Sequence, residues 1–498
     1  MNSNVLLVNP KIGSVSQSKV INAILNTTFP TSLGILASVL IASGLSQPRI
    51  IDEQLDPLDD DKLKALMASM KEPRIVGLSV LTINSGRAYE IAEMVKRIDP
   101  KAVVVLGGIH PTVLPEEALS HDGVDVVVRG EGEKTFEELV RLVMSGKRYN
   151  EIQGISFRGE DKITHTPDRP MIDNLDEVPP FPYHLFEKDR DKYPSFGGVF
   201  TSRGCPYKCT FCSSRSISGI KYRYFSIERS IHEIKLLIEK YGQKTIWLMD
   251  DNIAANKGHF ISLLDAIMKE GLHEKACFHG SMRGDNISDE ILDKAKAANF
   301  KMISFGLETG SESLMKIINK GETVEDVANA IRMTDKKGIA AATTVIFGLP
   351  TETKKDRRDA IKLAKSLPLS SIRFNILTPY PGTPVFAKLQ AENKLFIKKN
   401  WGNFAVQYMW EGDDLPYVTD GTNVYELMFD TMFANLSFYL SFSGIKRMLK
   451  SSFAGGNVIT LDCKWYSLPG MAYKLLRVFF YLSRRFIYVT YKMLTVKK

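Results

Sequence analysis

Cysteine is scarce in this 498-residue chain: there are five in all, and none precedes residue 205. So few thiols exclude a disulfide framework, and three of them, Cys205, Cys209 and Cys212, fall within eight residues of one another. That distribution points to a metal site in a reducing compartment. Met1 is followed by Asn-Ser-Asn and a strand-like run, so no secretory signal is read and a cytoplasmic location is expected. A net charge of +8 is mild for this length, and no nucleic acid partner is expected. With 44% hydrophobic and 24% charged residues, wholesale disorder is excluded. The length requires two or three domains.

Residues 1–145 alternate short apolar runs with amphipathic stretches such as Leu33–Ala42 and Ala88–Arg97. The expected strands are Val5–Asn9, Arg49–Asp52, Arg74–Val80, Ala102–Leu106 and Val124–Val128. Continuous apolar strands separated by helices predict a doubly wound, flavodoxin-like α/β domain with its ligand at the carboxyl ends of the strands. Residues 146–195 hold a predicted hairpin, Ile155–Phe157 with Ile163–His165, and an extended Pro-rich linker at Val178–Pro182. From 196 to 390 a second alternation predicts a partial (β/α)6 barrel. Its strands are expected at Val199–Thr201, Thr245–Met249, Cys277–Ser281, Met302–Gly306, Thr343–Phe347 and Ile372–Leu377. Residues 391–498 change character and are read as a mostly helical C-terminal region.

Directly after the first barrel strand runs Arg203-Gly204-Cys205-Pro206-Tyr207-Lys208-Cys209-Thr210-Phe211-Cys212. Three thiolates on one such loop can converge on a compact cluster. A structural zinc site would want a fourth Cys or His nearby, and none follows closely in sequence. Three buried structural thiols are the remaining alternative. This CxxxCxxC loop resembles the signature of the radical S-adenosylmethionine (SAM) superfamily. The likeness extends through Trp247-Leu248-Met249-Asp250-Asp251-Asn252, Gly306-Leu307-Glu308-Thr309-Gly310 and Phe347-Gly348-Leu349-Pro350. With the N-terminal region it is similar to the cobalamin-binding subgroup over roughly residues 1–400.

The resemblance implies a [4Fe–4S] cluster on Cys205, Cys209 and Cys212, with SAM on the open iron and cleaved to a 5′-deoxyadenosyl radical. Phe211, Asp250, Asp251, Ser281, Arg283 and Glu308 are the expected SAM contacts, and Gly310 a point of close backbone approach. Each has a plainer alternative: Asp251-Asn252 could cap the next helix, and Arg283 could pair with Asp285 at the surface. In the N-terminal region the resemblance implies cobalamin at Ser79, Thr82, Gly107, Gly108, His110, Gly130 and Glu131. The DxHxxG loop that supplies a lower histidine to cobalt in other cobalamin proteins is absent, since Pro10-Lys11-Ile12-Gly13 follows the first strand. His110 follows the wrong strand to replace it, so base-off cobalamin is expected, with loss of the cofactor as the alternative.

Residues 471–498 hold seven cations (Lys474, Arg477, Arg484, Arg485, Lys492, Lys497, Lys498) among large aromatics, with no acid and no apolar run long enough to span a bilayer. Two readings stand: a helix in the headgroup region on the inner membrane face, or a helix packed on the barrel with its cations in water. The function expected is a cobalamin-dependent radical SAM methyltransferase on an unactivated carbon. A radical SAM oxidative cyclase and a non-catalytic cobalamin sensor are the alternatives. The expected partners are a small-molecule or lipid-like substrate and an electron donor such as flavodoxin or ferredoxin.

Overall fold

The computed structural model describes residues 3–12, 29–159, 162–193, 196–406, 413–441 and 468–495; in the last helix, side chains are described at 480 and 483–495. Seven strands form the first sheet: β1 (Val5–Asn9), β2 (Arg49–Asp52), β3 (Ile75–Ser79), β4 (Val103–Gly107), β5 (Val126–Val128), β6 (Ile155–Arg158) and β7 (Ile163–His165), in the order β2-β1-β3-β4-β5-β6-β7. The first five are parallel, in the flavodoxin-like order 2-1-3-4-5. Val5, Leu6, Leu7 and Val8 are all fully buried because helices cover both faces. On one face lie α1 (Thr31–Ala42) and α3 (Glu133–Met144), and α2 (Ser85–Ile98) covers the other. The hairpin β6–β7 continues this sheet in antiparallel fashion.

Val178 to Pro182 forms no regular element, and its Phe181 joins Phe29, Tyr183 and Phe186 in an aromatic cluster. A short antiparallel pair, β8 (Ser202–Arg203) and β9 (Arg223–Tyr224), flanks the cysteine loop. The barrel sheet runs β10 (Thr245–Trp247), β11 (Cys277–Met282), β12 (Phe300–Glu308), β13 (Ala340–Phe347) and β14 (Leu369–Ile376), all parallel and in sequence order. The expected first strand is reduced to one parallel bridge between Val199 and Leu248.

β14 is an edge, and α4 (Val424–Tyr439) covers it. Asn435 accepts the N–H of Phe374 at 3.2 Å and donates to its carbonyl at 3.0 Å. The Tyr439 hydroxyl does the same for Ile372 at 3.1 and 2.7 Å. Side chains thus complete a ladder that an open edge would offer to another chain. The helix α5 (Leu468–Thr495) packs on α4. Among the described residues no helix is long and apolar enough to cross a membrane.

Candidate active site

The cysteine loop is held from several sides. Asp250, fully buried just past β10, accepts from the Thr201 amide at 3.1 Å, the Thr201 hydroxyl at 3.0 Å and the Ser202 hydroxyl. Burial pushes its carboxyl up to about 6 against the pull of those hydrogen bonds. Thr210 donates its amide to Ile318 at 2.9 Å, Asn319 donates to the Lys208 carbonyl at 3.1 Å, and Arg283 lies 3.6 Å over the Tyr207 ring. All three thiols are half-buried and free. Burial raises each, Cys212 to about 11, so metal binding must displace protons from them. Among the described residues no three His, Cys, Asp or Glu side chains converge as on a single ion. A four-iron cube differs in that its thiolates bind separate irons, and an all-thiol donor set on one loop suits it.

Beside Cys209 lies a buried ionic group in which the expected Arg283 and Glu308 are joined by Lys320 and Glu322, two residues that sequence reasoning missed. Lys320 pairs with Glu308 at 3.0 Å and with Glu322 at 3.6 Å. Arg283 grips Asp285 through two hydrogen bonds of 3.0 and 2.7 Å and donates to the Lys320 carbonyl at 2.6 Å. The Arg283–Asp285 pair weighed from the sequence is therefore present, but Arg283 is buried rather than at the surface. Two cations face three carboxylates, a surplus of one negative charge. Glu308 ends β12 in the left-handed region at φ 59°, a strained conformation for a side chain with a Cβ. Gly306 leaves the room this needs: a Cβ there would stand 2.2 Å from the Glu308 carboxylate.

The remaining expected SAM contacts divide. Asp251 is exposed, lines a cavity between the two sheets and accepts from Ser214 at 2.7 Å. Phe211 packs partly into the barrel core, and Ser281 is half-buried near the end of β11. Asp250 is buried and accepts from Thr201 and Ser202, directly before the cysteine loop. Gly310 makes its close approach to the backbone of Ala360 instead of to an open site.

A cavity of about 360 Å³ opens between the two sheets. From the first sheet it is lined by Ser79, Gly107, Gly108, Gly130 and Glu131, and it descends along the sheet face to Leu7 and Gly77 between α1 and α3. From the barrel side come Ser202, Arg203, Met249 and Asp251. Gly108 has φ 102°, and a Cβ there would lie 2.6 Å from the Val80 carbonyl, so only glycine makes this turn without strain. No histidine appears in the lining among the described residues.

Thr82 and His110 are not in that lining. Thr82 begins a short 3-10 turn, His110 lies in the short helix Ile109–Val113, and both are turned inward. His110 Nδ1 meets the Thr82 hydroxyl at 3.2 Å, and Nε2 meets Tyr89 at 3.2 Å and Glu117 at 3.1 Å. Glu131 lies at the cavity wall but is largely taken up by arginines. Arg223 donates to both its oxygens at 2.8 and 2.9 Å, and Arg203 approaches at 3.3 Å. Arg203 also pairs with Glu133 at 2.7 Å. These buried pairs join the first domain to both strands that flank the cysteine loop, β8 through Arg203 and β9 through Arg223.

Comparison with known proteins agrees with this geometry. Residues 199–364 match the Radical SAM superfamily model and residues 18–140 the B12 binding domain model. The chain is 34% identical over 403 residues to the uncharacterized methyltransferase PH0819 of Pyrococcus horikoshii, covering 80% of this chain and 86% of that one. It is 26% identical to the anaerobic magnesium-protoporphyrin IX monomethyl ester cyclase of Rubrivivax gelatinosus, over 76% of this chain and 69% of that one. Among solved structures, the radical SAM methyltransferase TsrM of Kitasatospora setae, with cobalamin and a [4Fe–4S] cluster bound, superposes at TM-score 0.68. It covers 91% of this chain and 100% of TsrM at 18% identity, a likeness of fold. The chain belongs to the radical SAM superfamily, as an enzyme whose barrel follows a B12-binding domain.

Proposed function

We propose that the protein is a cobalamin-dependent radical SAM methyltransferase acting on an unactivated carbon. The observation that carries this is the shared cavity: the carboxyl edge of the first sheet and the chain leading into Cys205 wall one space. Two cofactors facing each other across it suit a reaction that makes a substrate radical and hands it a methyl group. The named activity of the Pyrococcus relative supports methyl transfer, and that of the Rubrivivax relative supports a second reading, oxidative ring closure.

On this reading Cys205, Cys209 and Cys212 hold the cluster. When bound, the cluster supplies the electron that cleaves SAM, and cobalamin carries the methyl group. Asp250 and Tyr207 shape the cysteine loop, and Asp251, Phe211 and Ser281 remain SAM contacts. The group of Glu308, Lys320, Arg283, Asp285 and Glu322, with its one surplus negative charge, receives the SAM ammonium. Ser79, Gly107, Gly108, Gly130 and Glu131 contact base-off cobalamin, while Thr82 and His110 support the domain from behind. The substrate is a small or lipid-like molecule, an external donor such as flavodoxin or ferredoxin supplies electrons, and α5 makes a peripheral membrane contact.

The test is product stoichiometry in anaerobically reconstituted protein, which should hold about four irons on the three cysteines. Methyl transfer requires one S-adenosylhomocysteine and one 5′-deoxyadenosine for each methylated product. Ring closure would release 5′-deoxyadenosine alone. Changing all three cysteines to Ala should abolish 5′-deoxyadenosine; its persistence would overturn the reading.

A further inference from the structure

One side of α5 is fastened to the protein. Val489 is fully buried in the barrel core, and Phe486 packs 5.3 Å from Phe429 of α4. Asp413 accepts from Arg485 at 2.7 Å and from Tyr488 at 2.6 Å. These contacts set which way the helix faces. At 3.6 residues per turn, the residues opposite Val489 are 480, 484, 487, 491 and 494. Phe480, Ile487, Tyr491 and Leu494 are 62–76% exposed, and Arg484 is exposed among them. A helix merely packed on a core turns polar residues outward. Here the outward stripe is apolar, with Arg484 on it, while Lys492 lies toward the fastened side with its ammonium 5.8 Å from the Tyr488 ring, so neither reading weighed from the sequence suffices alone.

We infer that this stripe seats the protein on an anionic lipid bilayer, with Ile487, Tyr491 and Leu494 in the headgroup–acyl boundary and Arg484 on lipid phosphates. Charge decides the occupant. Residues 471–498 contain no acid, so a second copy laid across the same stripe would set cation against cation with nothing to neutralise them. An anionic membrane supplies both the apolar medium and the counter-charge. The stripe is too amphipathic to span, in keeping with the absence of a crossing helix among the described residues. The inference deepens the peripheral contact in the proposed function and specifies its residues and lipid charge. It is independent of which reaction the barrel performs.

Flotation of the full-length, cofactor-loaded protein tests it, with phosphatidylglycerol-containing and pure phosphatidylcholine vesicles at low and high salt. Wild type should float with the anionic vesicles at least about tenfold more than with the neutral ones, and less in high salt. The variant I487D/Y491D/L494D changes only half-open or exposed side chains, so it should keep its melting temperature and 5′-deoxyadenosine formation yet lose flotation. R484E should lower the salt-sensitive part alone. Flotation that the triple variant retains would overturn the inference, as would wild type that ignores anionic vesicles. So would a sedimentation shift from dimer to monomer in the triple variant, which would assign the stripe to a second copy. Because the readout is the protein itself, failure to methylate leaves this result standing, and failure to float leaves the methyl-transfer reading standing.

Discussion

Asp250 accepts both the amide and the hydroxyl of Thr201, at 3.1 and 3.0 Å, four residues before the first cysteine. A barrel strand end thereby sets the starting point of the cysteine loop. Removing the carboxylate in Asp250→Ala leaves three buried donors without an acceptor, each costing about 1–3 kcal/mol. Asp250→Asn keeps one acceptor oxygen and should lose less. Iron per chain after reconstitution is expected to fall in the order wild type, Asn, Ala, and equal loading of all three would show that Asp250 does not position the loop.

Glu131 bridges the two halves of the cavity through Arg223 and Arg203. Arg223 is 3% exposed, so Glu131→Ala would strand its guanidinium in the interior. Breaking one side of such a buried pair costs about 3–5 kcal/mol. The expected outcome is a lower melting temperature together with weaker retention of hydroxocobalamin on gel filtration. In wild type, the paramagnetic resonance of bound cob(II)alamin should lack splitting from an axial nitrogen. Clear nitrogen splitting would contradict base-off binding.

His279 sits in the barrel at 2% exposure, beside Trp247 at 4.7 Å between ring centroids, with neither ring nitrogen hydrogen-bonded to described residues. Burial alone pushes its imidazole down to about 4. The folded state thus binds a proton less readily than the unfolded chain, whose imidazole titrates near 6.5. Stability from this residue is complete above about pH 6.5 and is lost as pH falls toward 4. At about pH 5 the loss is about 2 kcal/mol. His279→Phe should flatten the fall in melting temperature between about pH 7 and pH 5, and an unchanged slope would remove His279 as its source.

The parts legible in the sequence are those fixed by local pattern. β1 and β2 have the expected ends because their apolar runs are covered on both faces and stop at polar residues. The cysteine loop is legible because its ligands are neighbours in sequence. Val199–Thr201 falls short as a strand because Asp250, not a neighbouring strand, takes the Thr201 amide. Thr82 and His110 are expected to contact cobalamin, but a 3-10 turn and a short helix turn them inward, Thr82 onto His110 and His110 onto Tyr89 and Glu117. Lys320 and Glu322 carried no signal, since only the left-handed turn at Glu308 and the lack of a side chain at Gly306 fold them against the cysteine loop. The exposed stripe of α5 was half legible. Its composition showed in the sequence, whereas the side turned outward depends on Asp413 and Val489.

Lys320 is the residue on which the ionic group beside Cys209 depends. It touches Glu308 and Glu322 and is 7% exposed, so its charge has no water to replace it. Lys320→Met preserves most of the side-chain volume but leaves the Glu308 and Glu322 carboxylates facing each other, with Arg283 at 3.8 Å from Glu322 as their nearest remaining cation. If this group receives SAM through a Glu308 carboxylate that Lys320 holds in place, repulsion from Glu322 displaces that carboxylate in the variant, and the SAM concentration needed for half-maximal 5′-deoxyadenosine formation should rise by about tenfold or more, equivalent to at least about 1.4 kcal/mol of binding. Lys320→Arg restores the charge and should recover part of the loss. A purely structural role predicts a different result: a lower melting temperature in Lys320→Met with SAM dependence unchanged in the protein that remains folded. Measuring SAM titrations alongside melting temperatures for both variants separates the two, and unchanged SAM dependence in Lys320→Met would remove the group from the SAM site.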